Sequence, residues 1–89
     1  MKVDYSLLPE HMRGGAKRWI EDGIQPGGFM MSVIANDLFG AVQLADHINK
    51  NRLQDICSFF YNEAPSGCWG SKEIAKAWYE AKRKPEAGG

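Results

Sequence analysis

An excess of charge of either sign is missing from this sequence: eleven Lys and Arg balance eleven Asp and Glu, so the formal net charge at neutral pH is zero. That balance argues against a chain-wide polyanion-binding role, whether as a basic nucleic-acid coat or as an acidic mimic of DNA. Long apolar runs are missing as well. Residues 1 to 9 hold no extended apolar segment of the export type, and Asn36, Asp37 and Gln43 interrupt the central apolar stretch before it could span a bilayer. The expected location is therefore cytoplasmic, and the two cysteines are expected to be reduced thiols. Strand-type alternation, internal repeats and low-complexity tracts are also lacking, which leaves an all-α reading.

What the sequence does hold is 44% hydrophobic residues in a chain of 89, with three Trp, three Tyr and four Phe. Aromatic side chains of that number serve a small core or a binding surface, and composition does not separate the two uses. The length suits one domain with a small core, so a homo-oligomer that supplements it stays open.

The segment from Gly23 to Phe29 and the apolar run after it, Met30 to Ala45, organise the chain. Before it, a first helix is predicted from Pro9 to Asp22, with Met12, Ala16, Trp19 and Ile20 inward at helical spacing. Gly14 and Gly15 cost that helix about 1 kcal/mol each relative to alanine, which calls for a reason such as close approach of another backbone. Gly23 fits the left-handed closing position, with Ile24 folded back onto Trp19 in a Schellman-type contact. Gln25 to Gly28 form a turn. A second helix then starts near Phe29, with Met30, Ile34, Leu38, Ala41 and Ala45 as its inward stripe, broadened by Val33, Val42 and Leu44, and with Ser32, Asn36, Gly40, Gln43 and His47 opposite.

Asn49 and Asn51 are expected as caps at a turn or bend before a third helix, Arg52 to Glu63, whose inner face is Leu53, Ile56, Cys57 and Phe60. Pro65 to Gly70 read as a loop, and Ser71 caps a fourth helix. Glu73 sits in its first turn, Lys82, Arg83 and Lys84 in its last, and Ile74, Ala75, Trp78 and Ala81 face inward. Pro85 stops it. The expectation is an all-α, compact single-domain bundle of four short helices over residues 1–84, with a disordered tail over 85–89.

No residue set compels a reaction. His11, His47, Cys57 and Cys68 are nominally enough for zinc, but no two share a ligand spacing, so no metal or cofactor is expected. The polar neighbours Glu10 and His11, Asp46 and His47, and Asn62 and Glu63 point in different directions on a helix, so no catalytic residue is assigned and the protein is read as a non-enzyme. The two glycine-rich helix starts have more physical content, because free amides at a helix start bind anions. Gly27, Gly28, Ser32, Trp69, Gly70, Ser71 and Lys72 are the candidate residues for a nucleotide-type ligand, although neither start matches the Walker or dinucleotide pattern. For a protein interface the candidates are Phe59, Tyr61, Trp69 and Tyr79. Short helices joined by tight turns also resemble helix-turn-helix modules, but the third helix offers only Arg52 as a cation and carries Asp55 and Glu63.

Leu8-Pro9-Glu10-His11-Met12, the segment Gly23 to Phe29, Asn36-Asp37-Leu38, and Tyr61 to Pro65 followed by Trp69-Gly70-Ser71 together resemble a group of small, functionally uncharacterised proteins of tailed bacteriophages and prophages. The resemblance covers about Leu8 to Trp78. It implies a bacterial host cytoplasm and the class of phage accessory proteins that includes anti-CRISPR proteins and other defence antagonists, and it transfers no site residue. The leading expectation is a phage-type accessory protein that binds and blocks a host defence protein through a helical surface. The alternative is a sponge for a nucleotide-type signal at the glycine-rich helix starts, and a small DNA-binding regulator is a further one.

Overall fold

In the computed structural model, which describes residues 3–83, the chain is built from helices and turns: α1 Glu10–Asp22, α2 Gly28–Ile34, α3 Leu38–Leu44, α4 His47–Asn51, α5 Leu53–Asn62 and α6 Lys72–Arg83. Short 3-10 turns at Tyr5–Leu7 and Ser66–Cys68 precede α1 and α6. The all-α class stands, with six α-helices among the described residues where four were expected. The expected tail, together with Lys84 and Pro85, lies outside the described residues.

α1 matches its prediction because its signals are local. Buried Pro9 precedes it, Met12, Ala16, Trp19 and Ile20 are buried at helical spacing, and Gly23 closes it at φ 69°. The Gly23 N–H donates to the Trp19 carbonyl at 3.0 Å and that of Ile24 to the Arg18 carbonyl at 3.2 Å, so the close is of the left-handed type. Ile24 itself is 47% exposed rather than folded away. The expected backbone neighbour for the two α1 glycines is not there: a Cβ on Gly14 would meet the Arg18 guanidinium, and one on Gly15 the side chains of Met30, Arg18 and Pro26. Nothing in the structure requires glycine at either position.

The single long second helix is replaced by a hairpin of α2 and α3. Asn36 takes φ 62°, the left-handed conformation that asparagine tolerates better than other side chains. Its N–H donates to the Val33 carbonyl at 3.0 Å and that of Asp37 to the Ser32 carbonyl at 2.8 Å, the paired bonds of a Schellman close. Asp37 then restarts the helix: its Oδ1 accepts the Gly40 N–H at 3.0 Å. The two helices lie antiparallel, since a Cβ at Gly28 would sit 3.3 Å from Leu44 Cδ1 and one at Gly40 3.0 Å from Ser32 Oγ. A side chain at Gly40 would collide first with the carboxylate of the capping Asp37 and then with Ser32 of α2.

α4 occupies the place of the expected turn. Its cap is Asp46, whose Oδ1 accepts the Asn49 N–H at 2.7 Å, and not Asn49 or Asn51. Asn49 is instead buried, at 5% exposure. Asp46 Oδ2 lies 3.4 Å from His11 Nε2, which ties α4 to α1. The Asn49 N–H foremost, and His11 less so, hold the Asp46 carboxyl below its ordinary 3.8.

The core gathers around α1, α2 and α5, with Trp19, Ile34, Ile56, Phe59 and Phe60 fully or almost fully buried. Phe59 meets the Tyr5 ring at 5.5 Å and the Phe60 ring edge-on at 5.1 Å. Two indoles carry the chain ends across it. Trp19 Nε1 donates to the Cys68 carbonyl and Trp78 Nε1 to the Trp19 carbonyl, both at 3.0 Å, so α1, the loop after α5 and α6 are held in one line of hydrogen bonds. Ser71 caps α6 as predicted, its Oγ accepting the Ile74 N–H at 3.1 Å. The inner face of α6 is narrower than expected, with Ala75 buried, Trp78 half-buried, and Ile74 and Ala81 exposed. Among the described residues no helix is long and apolar enough to cross a membrane.

Candidate functional site

Two surfaces stand out once the helices are in place. The first is α3. Of its apolar residues Ala41 is buried, whereas Leu38 is 62% exposed, Phe39 80%, Val42 46% and Leu44 57%, with Ile48 of α4 beside them in sequence at 51%. Leu38, Val42 and Leu44, expected on an inward stripe, are corrected by the break at Asn36, which turns α3 back along α2 and leaves them exposed while Ala41 of the same stripe stays buried. No ionisable residue occurs from Leu38 to Ala45, and Asp37 and Asp46 bound the stretch. A contiguous exposed apolar helix is an uncommon feature for a monomer and marks interaction sites.

The second is a cleft of about 340 Å³ between the C-terminal end of α2, one side of α5 and Trp69, lined by Val33, Asn36, Gln54, Cys57, Ser58, Tyr61, Asn62 and Trp69. The α5 residues among them recur at helical spacing on the side away from Ile56, Phe59 and Phe60. Tyr61 is 75% exposed, and its ring meets that of Trp69 at 6.1 Å and 61°. Cys57, expected as a core residue, is exposed as a residue, because Phe59 takes the inward position beside Phe60. Partial burial of its sulfur nonetheless pushes its pKa above the ordinary value. Cys68 is buried and pushed up to about 11 by desolvation. Both thiols are free, and neither carries the lowered pKa of a reactive cysteine.

The residues singled out for a nucleotide-type ligand do not come together. Gly27 is exposed and borders a small hollow of about 260 Å³ with His11, Arg18 and Asn49, whereas Gly28 faces Leu44. Ser32 and Lys72 share a cleft of about 360 Å³ between α2 and α6 with Lys76, Tyr79 and Asp37. Trp69 lines the cleft along α5 instead. The Gly70 N–H donates to the Ile34 carbonyl at 2.8 Å, and the Ser71 hydroxyl accepts the Ile74 N–H. The backbone and cap at that start are thus occupied in closing α2 and opening α6.

Of the interface candidates, Phe59 is fully buried and offers no contact to a partner. Tyr61 is exposed, Trp69 half-buried, and Tyr79 half-buried with the Arg83 guanidinium 5.2 Å above its ring. Leu38, Phe39, Val42, Leu44 and Ile48 were missed as exposed anchors. The signal for them was present: apolar residues at 38, 39, 41, 42 and 44 surround a short helix on too many sides for one packing face. Among the described residues no group of three or more His, Cys, Asp or Glu is placed to hold a metal ion. Comparison with protein-family models, with characterised proteins and with solved structures finds no match for the chain.

Proposed function

We propose that the protein acts by binding another protein, and that α3 is the surface it uses. The observation that carries this reading is the exposure of Leu38, Phe39, Val42 and Leu44 on a helix whose buried side is reduced to Ala41. Covering those side chains returns about 25 cal/mol for each Å² of apolar surface removed from water, and a Phe 80% exposed supplies a large share. An exposed aromatic accompanied by aliphatic side chains on one short helix is a composition that interface hot spots favour. The chemistry of the partner follows from the rim. Because the face is uncharged and flanked by Asp37 and Asp46, the fitting surface is an apolar groove or helix with basic residues at its edge. The resemblance to phage accessory proteins supplies the narrower version, in which the partner is a bacterial host protein, a defence component foremost, and the protein blocks it without chemistry.

A photo-crosslinking side chain in place of Phe39 tests this in bacterial cells. The expected result is an adduct with one defined heterologous protein, absent when the same group replaces Lys17 on α1. Phe39→Ser is expected to weaken binding of that protein, once purified, by at least tenfold. An adduct of twice the chain mass, or a dimer by analytical ultracentrifugation that Phe39→Ser abolishes, would make the partner a second copy and overturn the reading. So would the absence of any defined adduct.

A further inference from the structure

The cleft along α5 is uncharged, aromatic at one end and rich in carboxamides, and no part of the α3 face is needed to form it. Its volume, about 340 Å³, falls within the range of small-molecule sites, and its lining joins apolar Val33, Cys57, Tyr61 and Trp69 to a few polar groups, the usual composition of such sites. Gln54, Ser58 and Asn62 stand in one row, one helical turn apart, and Asn36 faces them from the end of α2. Asn36 is held there by the Schellman close that gives it φ 62°. The hydrogen bonds formed by side chains of the described residues involve none of these four.

Trp69 adds a second, independent observation. The indoles of Trp19 and Trp78 each donate to a carbonyl at 3.0 Å, whereas Trp69 Nε1 is buried and has no acceptor on the protein. A buried N–H left without a partner costs about 1–3 kcal/mol, and because this one is shut off from solvent, an acceptor on a ligand meets it only when the indole turns toward the cleft. None of the eight lining residues carries a formal charge, so the cleft has nothing with which to select a phosphate or a carboxylate.

We infer that this cleft binds an uncharged, planar, hydrogen-bonding heterocycle of the nucleobase class, stacked against the exposed Tyr61 ring and the half-buried Trp69 ring, with its edge read by Asn36, Gln54 and Asn62. Carboxamides present a donor and an acceptor side by side, which is the pattern on nucleobase edges, and a π-face is what an aromatic wall accepts without regard to charge. The same base is available as a free nucleoside or within a single strand of nucleic acid. The cleft recognises the base in either.

The test is a titration of the full-length, ¹⁵N-labelled protein with adenosine, guanosine, cytidine and uridine at millimolar concentration, and in a second arm with a short single-stranded oligonucleotide of mixed sequence. At least one of the two arms is expected to shift the Trp69 indole N–H and the side-chain amides of Asn36, Gln54 and Asn62, and to slow alkylation of Cys57 by N-ethylmaleimide. Movement with nucleosides identifies the free base as ligand, and movement with the oligonucleotide alone identifies the single strand. Gln54→Leu, on the exposed side of α5, is expected to weaken the response roughly tenfold without loss of fold, and Trp69→Phe to weaken it less, since a smaller ring remains in the wall. No shift in either arm overturns the inference, as do shifts confined to Lys72 and Lys76 of the other cleft or a response that Gln54→Leu leaves unchanged. The α3 crosslinking result is independent of all these readouts.

Discussion

Helices α3 and α5 carry comparable apolar content and meet opposite fates. In α5 the inward side chains Ile56, Phe59 and Phe60 are at most 1% exposed and Tyr61 alone of its large rings stands out, whereas in α3 Phe39 is 80% and Leu38 62% exposed. The difference lies in what positions each helix. α5 is placed by burial against α1, α2 and the Tyr5 segment, so its orientation is the one that removes its apolar stripe from water. α3 is placed by backbone chemistry: a left-handed Asn36, a capping Asp37 and a glycine at position 40 fold it along α2, and its small Ala41 is the buried residue. Local hydrogen bonds can thus hold a helix in a position that leaves its apolar side uncovered, and such a helix is available for binding in a way that α5 is not.

The largest effect that would break this comparison is expected on the α5 side. Trp19→Ala removes a fully buried indole from the core that α5 shares and leaves the Cys68 carbonyl without its donor, for a loss of about 3–5 kcal/mol. For so small a domain that approaches the whole stability, and urea titration by circular dichroism should find the variant largely unfolded. Gly23→Ala comes next. Its φ of 69° disfavours a side chain, and the added Cβ would collide with Cβ of Lys82 on α6, so a loss of about 2 kcal/mol is expected by the same titration.

A smaller, pH-dependent effect is expected at α4, which like α3 starts from an aspartate cap. Because the folded pKa of Asp46 lies below its ordinary 3.8, the carboxylate stabilises the folded state above 3.8, and that contribution is lost as the pH falls through the lower folded value. Amide exchange at Asn49 should accelerate over that acid range before exchange within α5 does, and Asp46→Asn should flatten the dependence, since asparagine caps without titrating. The smallest expected effect is the most informative. Phe39→Ser should change stability by no more than about 0.5 kcal/mol, because the ring has little to lose on unfolding. A loss comparable to that of a core phenylalanine would mean that α3 is part of the core in solution and would remove the distinction between the two helices.

Several features were legible residue by residue because the chemistry is local. Pro9 and Gly23 bracket α1, Ser71 opens α6, and Met12, Ala16, Trp19 and Ile20 mark the inner face of the first helix. The break at Asn36 was legible in kind but outweighed: an asparagine that tolerates φ above zero beside a capping aspartate is a stop followed by a start, yet the apolar spacing from Met30 to Ala45 runs through it unbroken. Periodicity records the period of each helix and is blind to a change of direction between two of them. That is also why Leu38, Val42 and Leu44 read as core, and Cys57 as core in place of Phe59. The α5 cleft was half visible, since Gln54, Ser58 and Asn62 are polar, recur at helical spacing and fall outside the inner face expected for their helix.

The sequence by itself determined the all-α class, the ends of α1, the cap of α6 and the balance of charge, because capping, left-handed residues and composition act over a few residues or over none. Only the tertiary structure decided which apolar stripe is covered and which is not, and which distant polar residues share a cleft. Burial is a relation between elements far apart in sequence, and the turn at Asn36 leaves Leu38, Phe39, Val42 and Leu44 outside a core that Ala41 of the same helix still joins.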